Sequence, residues 1–184
     1  MIGTNDSSNF WVVLDIGTTE LKAALVSSKG EIQEKCSRAI QTYKPSSGFE
    51  EQDADKWWQL VCEILSEIGS GKNIGAIGLT GQMQNLVLIG ENSDLVGPVI
   101  LYSDQRASEE AREIKAIDDY IKIKEKTGNE QGPSSVLCKL MWMKKHNPEV
   151  YKKTSRIMLG SADFISSKLT GKFFTDTTTA STTG

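Results

Sequence analysis

Residues 12–22 read VVLDIGTTELK: an apolar run meets an aspartate, then a glycine and two threonines, before apolar character resumes. The flanks FWVVLD and LKAALVSS are short and largely apolar, so the stretch predicts two strands joined by a tight turn at Gly17, Thr18 and Thr19. Such a bend can simply reverse the chain, because Gly17 can take positive φ at no steric cost and Asp15 can hydrogen-bond its own turn. It can also hold a phosphate, with Thr18 and Thr19 offering hydroxyls and backbone N–H groups and Asp15 facing a metal. The residues of the turn leave both readings open.

Reading outward, SKG makes a second turn into EIQEKCSRAI, a third strand whose mixed alternation suits the edge of a sheet. The period then changes. In DADKWWQLVCEILSEIGS the residues Trp57, Val61, Ile64, Leu65 and Ile68 recur at helical spacing, Asp53 is positioned as N-cap, and Gly69 and Gly71 stop the run. NIGAIGLTG predicts a buried strand whose small residues let a helix or a ligand approach its backbone. NLVLIGENSDLVGPVILYSD predicts a hairpin and a further strand, and from Gln105 onward helices dominate. Three strands, a helix, then a strand define an α/β layer fold, in which a parallel strand after a crossover helix is expected to be covered on both faces. Residues 1–9 read as a polar, frayed tail, so order is expected to begin near Phe10.

Composition removes several classes of function. The chain has 184 residues, 38% hydrophobic and 24% charged, enough for one well-packed domain. A formal charge of -3 gives no electrostatic footprint for nucleic acid or an anionic membrane, so the expected partner is a small molecule. MIGTNDSSNF has neither a basic nor an apolar leader region, and no later run is long enough to span a bilayer, so the expected location is the cytoplasm. Cys36, Cys62 and Cys138 are odd in number and far apart, which fits reduced core thiols better than disulfides or zinc. His146, the only histidine, lies before Pro148 where a helix should end, and reads as a capping or surface residue. Neither GxxxxGK[ST] nor GxGxxG occurs, so a phosphate held by the first turn is not held by a P-loop or a dinucleotide fingerprint.

Three further stretches carry candidate chemistry. LTGQMQ leaves the carboxyl end of the fourth strand, where open α/β sheets place ligands, and Gln82, Met83 and Gln84 would line it. Amides donate and accept together, which suits sugar hydroxyls, although the same loop could be an ordinary turn. LYSDQRASEEAREI sets Asp104 and Arg106 at another strand end, where Asp104 reads equally as the N-cap of the next helix with Arg106 solvated. FFTDTTTASTTG begins strand-like and ends in hydroxyls, with a frayed polar end as its plainer reading. Trp57 and Trp58 sit on a helix that needs an apolar face, so they read as packing residues rather than a sugar platform.

Eight segments in order, DIGTT, QDADKWW, IGLTGQMQ, PVILYSDQR, KTGN, CKLMWMKKHNPE, SADFISSKLTG and TDTTTASTTG, resemble the FGGY family of carbohydrate kinases from Val12 to Gly184. Within the family the xylulose kinase branch is the most similar. The resemblance implies a ribonuclease-H-like N-terminal lobe of the actin and hexokinase type, a mixed sheet with helices on both faces, that phosphorylates a sugar hydroxyl with ATP and Mg²⁺. It implies that Asp15 orients the magnesium through water while Gly17, Thr18 and Thr19 approach the phosphates. It implies that Gln82, Met83, Gln84 and Asp104 meet the sugar and that Arg106 braces the loop. Xylulose kinases usually read Gly-Gln-Met-His where this chain has Gln84, which leaves a ketopentose, gluconate, glycerol or another polyol as substrate.

Asp163 matches a structural aspartate before Leu-Thr-Gly. Members of the family are much longer, and their catalytic base is an aspartate of a Gly-Asp motif that would fall beyond residue 184, so Asp176 is not promoted to that role. The resemblance therefore implies the greater part of a sugar-binding lobe over residues 10–184, without the nucleotide-binding lobe, as a fragment or one half of a split enzyme that is silent alone. Exposed apolar surface and association with the missing portion or with a second copy, as a homodimer, are expected of such a piece. The alternative is a non-catalytic sugar- or nucleotide-binding remnant that serves as an interaction module.

Overall fold

The computed structural model describes residues 10–117 and 119–183, so the expected tail over residues 1–9 lies outside the described residues. The opening stretch forms strands β1 (Phe10–Ile16) and β2 (Glu20–Ser27), followed by β3 (Ile32–Ala39) and the short β4 (Glu51–Gln52). Helix α1 (Ala54–Gly69) then crosses over to β5 (Ile74–Gly81), which pairs parallel with β1. The resulting sheet has the order β3-β2-β1-β5, with β1–β2 and β2–β3 antiparallel. β3 is an edge strand, as its composition predicts.

Alternation decides which face is covered. Along β1, Val12, Leu14 and Ile16 are buried while Trp11, Val13 and Asp15 point the other way. Helix α1 lies on the buried face through Trp57, Val61, Ile64 and Ile68, each removed from water and each contributing about 1.5–3 kcal/mol. Its start is fixed as expected, the Asp53 carboxylate accepting from the N–H of Asp55 at 2.9 Å. Beyond it the chain adds β6 (Val87–Ile89), β7 (Val99–Ile100), α2 (Ser108–Lys115), α3 (Tyr120–Thr127), α4 (Val136–His146), α5 (Pro148–Lys153), β8 (Arg156–Met158), α6 (Ser161–Thr170) and α7 (Thr177–Ser181). Helix α6 joins α1 on the same face of the sheet, with Phe164 meeting Trp57 edge-on at 6.2 Å. The pairs β4–β7 and β6–β8 build a smaller region whose core, with Leu86, Leu88 and Ile100, is closed by Val136 and Met143 of α4.

Several expectations are corrected. Among the described residues helices cover one face of the sheet only. On the other, Trp11 and Val13 are 42% and 45% exposed, and β5 is half-exposed rather than buried because no helix among the described residues covers that side of Gly78 and Thr80. Gly17 does not use positive φ; glycine is required there because an added Cβ would stand 3.0 Å from the Glu20 carbonyl that closes the turn. Of the three cysteines only Cys138 is buried, with Cys36 half-buried and Cys62 exposed. FFT forms no strand, and Asp176 starts α7 by accepting from the N–H and hydroxyl of Thr179 at 2.8 and 2.7 Å. His146 ends α4 as expected and stacks on Trp142 at 4.9 Å. No helix among the described residues is long and apolar enough to cross a membrane.

Candidate functional site

Parallel pairing of β1 with β5 brings Ile16 opposite Gly81, so the Gly17–Thr19 turn and the Gln82–Gln84 loop leave the same edge of the sheet side by side. The approach is close because Gly81 has no side chain. Ser161, the first residue of α6, donates its hydroxyl to the Ile16 carbonyl at 2.8 Å across the space a Cβ would need. The small residues of NIGAIGLTG thus admit a helix end, one of the two occupants they allow.

The loop is held from both sides. The N–H of Gln82 donates to the Ile16 carbonyl at 3.0 Å, and the N–H of Ser161 to the Gln82 carbonyl at 3.0 Å. The Gln82 amide turns toward the first turn, donating to the Gly17 carbonyl at 3.2 Å and to Oε1 of Gln52 at 2.9 Å. Gln52 itself donates to the Thr18 carbonyl at 2.7 Å and to the Thr42 hydroxyl at 2.8 Å, and its Oε1 also accepts from the Trp57 indole at 3.0 Å. Gln84 follows with φ +59°, a conformation that costs a residue with a Cβ and that recurs at functional sites. Gly17, Thr18, Gln82, Met83 and Gln84 then line a hollow of about 410 Å³ together with Tyr102. Its rim offers amides, a hydroxyl, a thioether and an aromatic ring, a set suited to a small polyhydroxy ligand.

Gln52 and Tyr102 were not legible as site residues. Gln52 sits in a two-residue strand ahead of the helix, and nothing in QDADKWW separates it from an N-terminal flank. Substituting Gln52 with leucine is expected to cost about 1–3 kcal/mol, since it strands the Thr18 carbonyl, the Trp57 indole and the Gln82 amide together. Chemical denaturation measures this, and a loss below about 0.5 kcal/mol would mean that water replaces the amide.

Asp15 and Thr19 lie apart from the hollow. Asp15 points to the open face of the sheet, in register with Lys22 on β2 and Thr80 on β5, and Thr19 is exposed at the tip of the turn. Among the described residues no group of three or more His, Cys, Asp or Glu could cage a metal. One exposed carboxylate beside a hydroxyl-bearing turn does fit a magnesium ion that keeps its waters and takes its remaining ligands from phosphates.

Asp104 and Arg106 are brought together but do not line the hollow. The side chains of Asp104 and Arg106 are 0% and 3% exposed, so Arg106 is not solvated, and α2 is capped at Ala107 without a side-chain bond. Nε of Arg106 donates to Oδ1 and Oδ2 of Asp104 at 2.9 and 3.0 Å, and Nη2 donates to Oδ2 at 2.8 Å and to Glu51 at 2.7 Å. The N–H groups of Glu50 and Arg106 complete the carboxylate at 2.6 and 2.9 Å. The guanidinium lies against the rings of Phe49 and Trp142, at 3.9 and 5.0 Å from their centroids, and the two rings meet each other edge-on at 5.6 Å. The Asp104 carboxylate is therefore engaged by its own chain, and the pair ties the segment after β7 to β4. Asp163 reads as structural here too: Thr175 donates to it at 2.9 Å, and burial pushes its carboxyl up.

A sheet of order β3-β2-β1-β5 with one parallel crossover, and turns gathered at the carboxyl ends of β1 and β5, is the architecture of the actin- and hexokinase-like sugar kinase lobes. Residues 10–184 match the FGGY family of carbohydrate kinases, N-terminal domain, and the chain belongs to that family. The xylulose kinase of Staphylococcus xylosus is 34% identical over 173 residues, covering 92% of this chain and 36% of that protein. The gluconokinase of Bacillus subtilis is 27% identical over 180 residues, covering 96% of this chain and 35% of that protein. The crystal structure of xylulose kinase from Rhodospirillum rubrum superposes with a TM-score of 0.88 at 30% identity, covering 95% of this chain and 36% of that one. This chain thus spans about a third of the length of the relatives it matches.

Proposed function

We propose that the chain is the sugar-binding lobe of an ATP-dependent carbohydrate kinase of the cytoplasm, and that the hollow between the Gly17–Thr19 turn and the Gln82–Gln84 loop receives the sugar. The observation that carries this is the convergence of those two turns at the ends of paired parallel strands, locked by Gln52. Phosphoryl transfer asks little covalent help of a protein; it asks for clamped phosphates, neutralised charge and an aligned hydroxyl. Thr18 and Thr19 supply N–H groups and hydroxyls for the phosphates, and Gly17, whose own N–H donates to the Glu20 carbonyl at 3.1 Å, leaves room for them beside the backbone. Asp15 orients hydrated Mg²⁺, which when bound neutralises the phosphate charge. The Gln84 amide and Met83 set the sugar, Gln82 meets it through Oε1 because its N–H groups are held by Gly17 and Gln52, and Asp104 with Arg106 braces the neighbouring segment.

Likeness to xylulose kinases puts a ketopentose such as xylulose first, with gluconate or glycerol behind it. The aspartate that would take the hydroxyl proton is assigned to the part of such kinases that this chain does not match. Turnover is therefore expected only when that portion is supplied, whether as a separate chain or by association. The test is ATP- and Mg²⁺-dependent phosphorylation of D-xylulose, gluconate and glycerol by the protein alone and with the remaining portion of an FGGY kinase added. Turnover only in the mixture supports a kinase lobe. Turnover by the protein alone would return attention to Asp104 and Asp176 as bases. Silence in both, with no sugar bound, would leave an interaction module, for which the open face around Trp11 and Val13 is the natural surface.

A further inference from the structure

We propose that Lys139 is a positioning residue of the sugar loop: its buried ammonium grips the Gln84 carbonyl and fixes the turn that presents Gln82, Met83 and Gln84 to the hollow. The inference rests on the sugar-binding reading above only for its consequence, not for the contact itself. Lys139 stands on α4 between Val136 and Met143, at the helical spacing of the face turned to the core, where an apolar residue is expected. It is instead a lysine with 0% exposure, and its Nζ donates to the Gln84 carbonyl at 2.8 Å. A buried ammonium is costly, so the site repays it only through well-placed partners.

The rest of the loop shows what that partner does. Gln82 is held through its N–H by Ile16 and through its carbonyl by Ser161, and the N–H of Asn85 donates to the Leu159 carbonyl at 2.9 Å. Between these anchors Gln84 takes φ +59°, which a residue with a Cβ does not adopt without compensation. The Lys139 ammonium meets the carbonyl of that residue and supports this conformation.

The charges facing the ammonium come from the segment after β7 and from α4 itself. The Asp104 carboxylate favours the charged form, the Arg106 guanidinium opposes it, and Cys138 is a neutral thiol pushed up to about 11 by burial. Residues 82–85 carry no titratable group. Burial outweighs Asp104 and brings Lys139 down to about 8. Below that pH the loop is held by a cation, and above it by a neutral amine whose hydrogen bond is weaker, so the loop should loosen as pH rises through this window.

The test follows the Gln84 and Asn85 amide resonances of the protein from pH 6 to 9.5, in wild type, Lys139→Met and Lys139→Arg, with D-xylulose affinity by calorimetry at both ends. Expected is a transition of both amides centred near pH 8 in wild type, absent in Lys139→Met. Lys139→Arg, whose guanidinium stays charged throughout, should show an ordered loop with no transition. D-xylulose should bind about tenfold more weakly at the upper pH, and to Lys139→Met at either. A Lys139→Met loop with unchanged resonances, or a Lys139→Arg loop as disturbed as that of Lys139→Met, would overturn the proposal; where Lys139→Met fails to fold, a wild-type Nζ resonance with no hydrogen-bond coupling to the Gln84 carbonyl carbon at pH 6 overturns it. A loop that titrates while D-xylulose, gluconate and glycerol all fail to bind upholds the positioning role and removes the sugar-binding reading instead.

Discussion

Gly81→Ala is expected to destabilise the protein by about 3 kcal/mol or more, at the upper end of what overpacking costs, because the new methyl group meets a backbone that cannot yield. Its Cβ would stand 2.2 Å from the Ser161 hydroxyl and 2.6 Å from the Ile16 carbonyl oxygen. The hydroxyl belongs to a short side chain and can rotate, but the carbonyl is fixed by the β1–β5 pairing and already accepts from Gln82 and Ser161. Adding Ser161→Ala should therefore recover only part of the loss. Gly132→Ala is the matched control: its added Cβ has nothing within 4 Å and its φ is not in the left-handed region, so its cost should stay within about 0.5 kcal/mol. Urea denaturation of the three variants measures the differences. A Gly81→Ala cost below about 1 kcal/mol would mean that α6 does not press on the strand end, and the two turns of the candidate site would lose their common anchor.

Arg106→Met should cost about 3–5 kcal/mol, the range for stripping one partner from a buried ion pair. Asp104 would keep the N–H groups of Glu50 and residue 106 and the field of the Lys139 ammonium but lose its bidentate partner, while Glu51 loses its cation. Arg106→Lys should recover little, since an ammonium cannot supply the fork on Asp104 and lacks the planar face that lies over the Phe49 ring. The companion variant Asp104→Leu, Arg106→Met and Lys139→Met removes the carboxylate together with both cations that face it and should be more stable than Arg106→Met alone, which separates the penalty of an orphaned carboxylate from the worth of the pair. Equal melting of Arg106→Met and wild type would mean that the carboxylate is hydrated and the region open.

These expectations rest on contacts that the sequence signalled unevenly. The meander and its crossover were readable because period two in VVLDI and period near four in Trp57, Val61, Ile64 and Ile68 are local properties of the chain. The juxtaposition of Gly17 with Gln82 was only half legible: LTGQMQ read as the carboxyl end of a strand, but that this strand pairs with β1 and so sets Ile16 opposite Gly81 is seen only in the register. Burial of β5 was not legible: small and apolar residues read alike whether one face is packed or two, and here Trp11, Val13 and Thr80 are left open. Asp104 shows the same limit. Its position at a strand end suited either a helix cap or a ligand contact, and the deciding facts lie far away in sequence, in the N–H of Glu50 and the rings of Phe49 and Trp142. Lys139 lay hidden within CKLMWMKKH, where three further cationic or titratable residues follow and only burial singles it out.

The measurement that bears most directly on the central claim is amide-resonance mapping of the isotope-labelled protein titrated with D-xylulose, then with gluconate and glycerol. The expected result is that one of the three shifts a contiguous set at Gly17, Thr18, Gln82, Met83, Gln84 and Tyr102, the residues that line the hollow. No shift with any of them, or shifts gathered instead around Arg156, Phe173 and Phe174 at the separate cavity beside α6, would contradict a sugar site at the ends of β1 and β5.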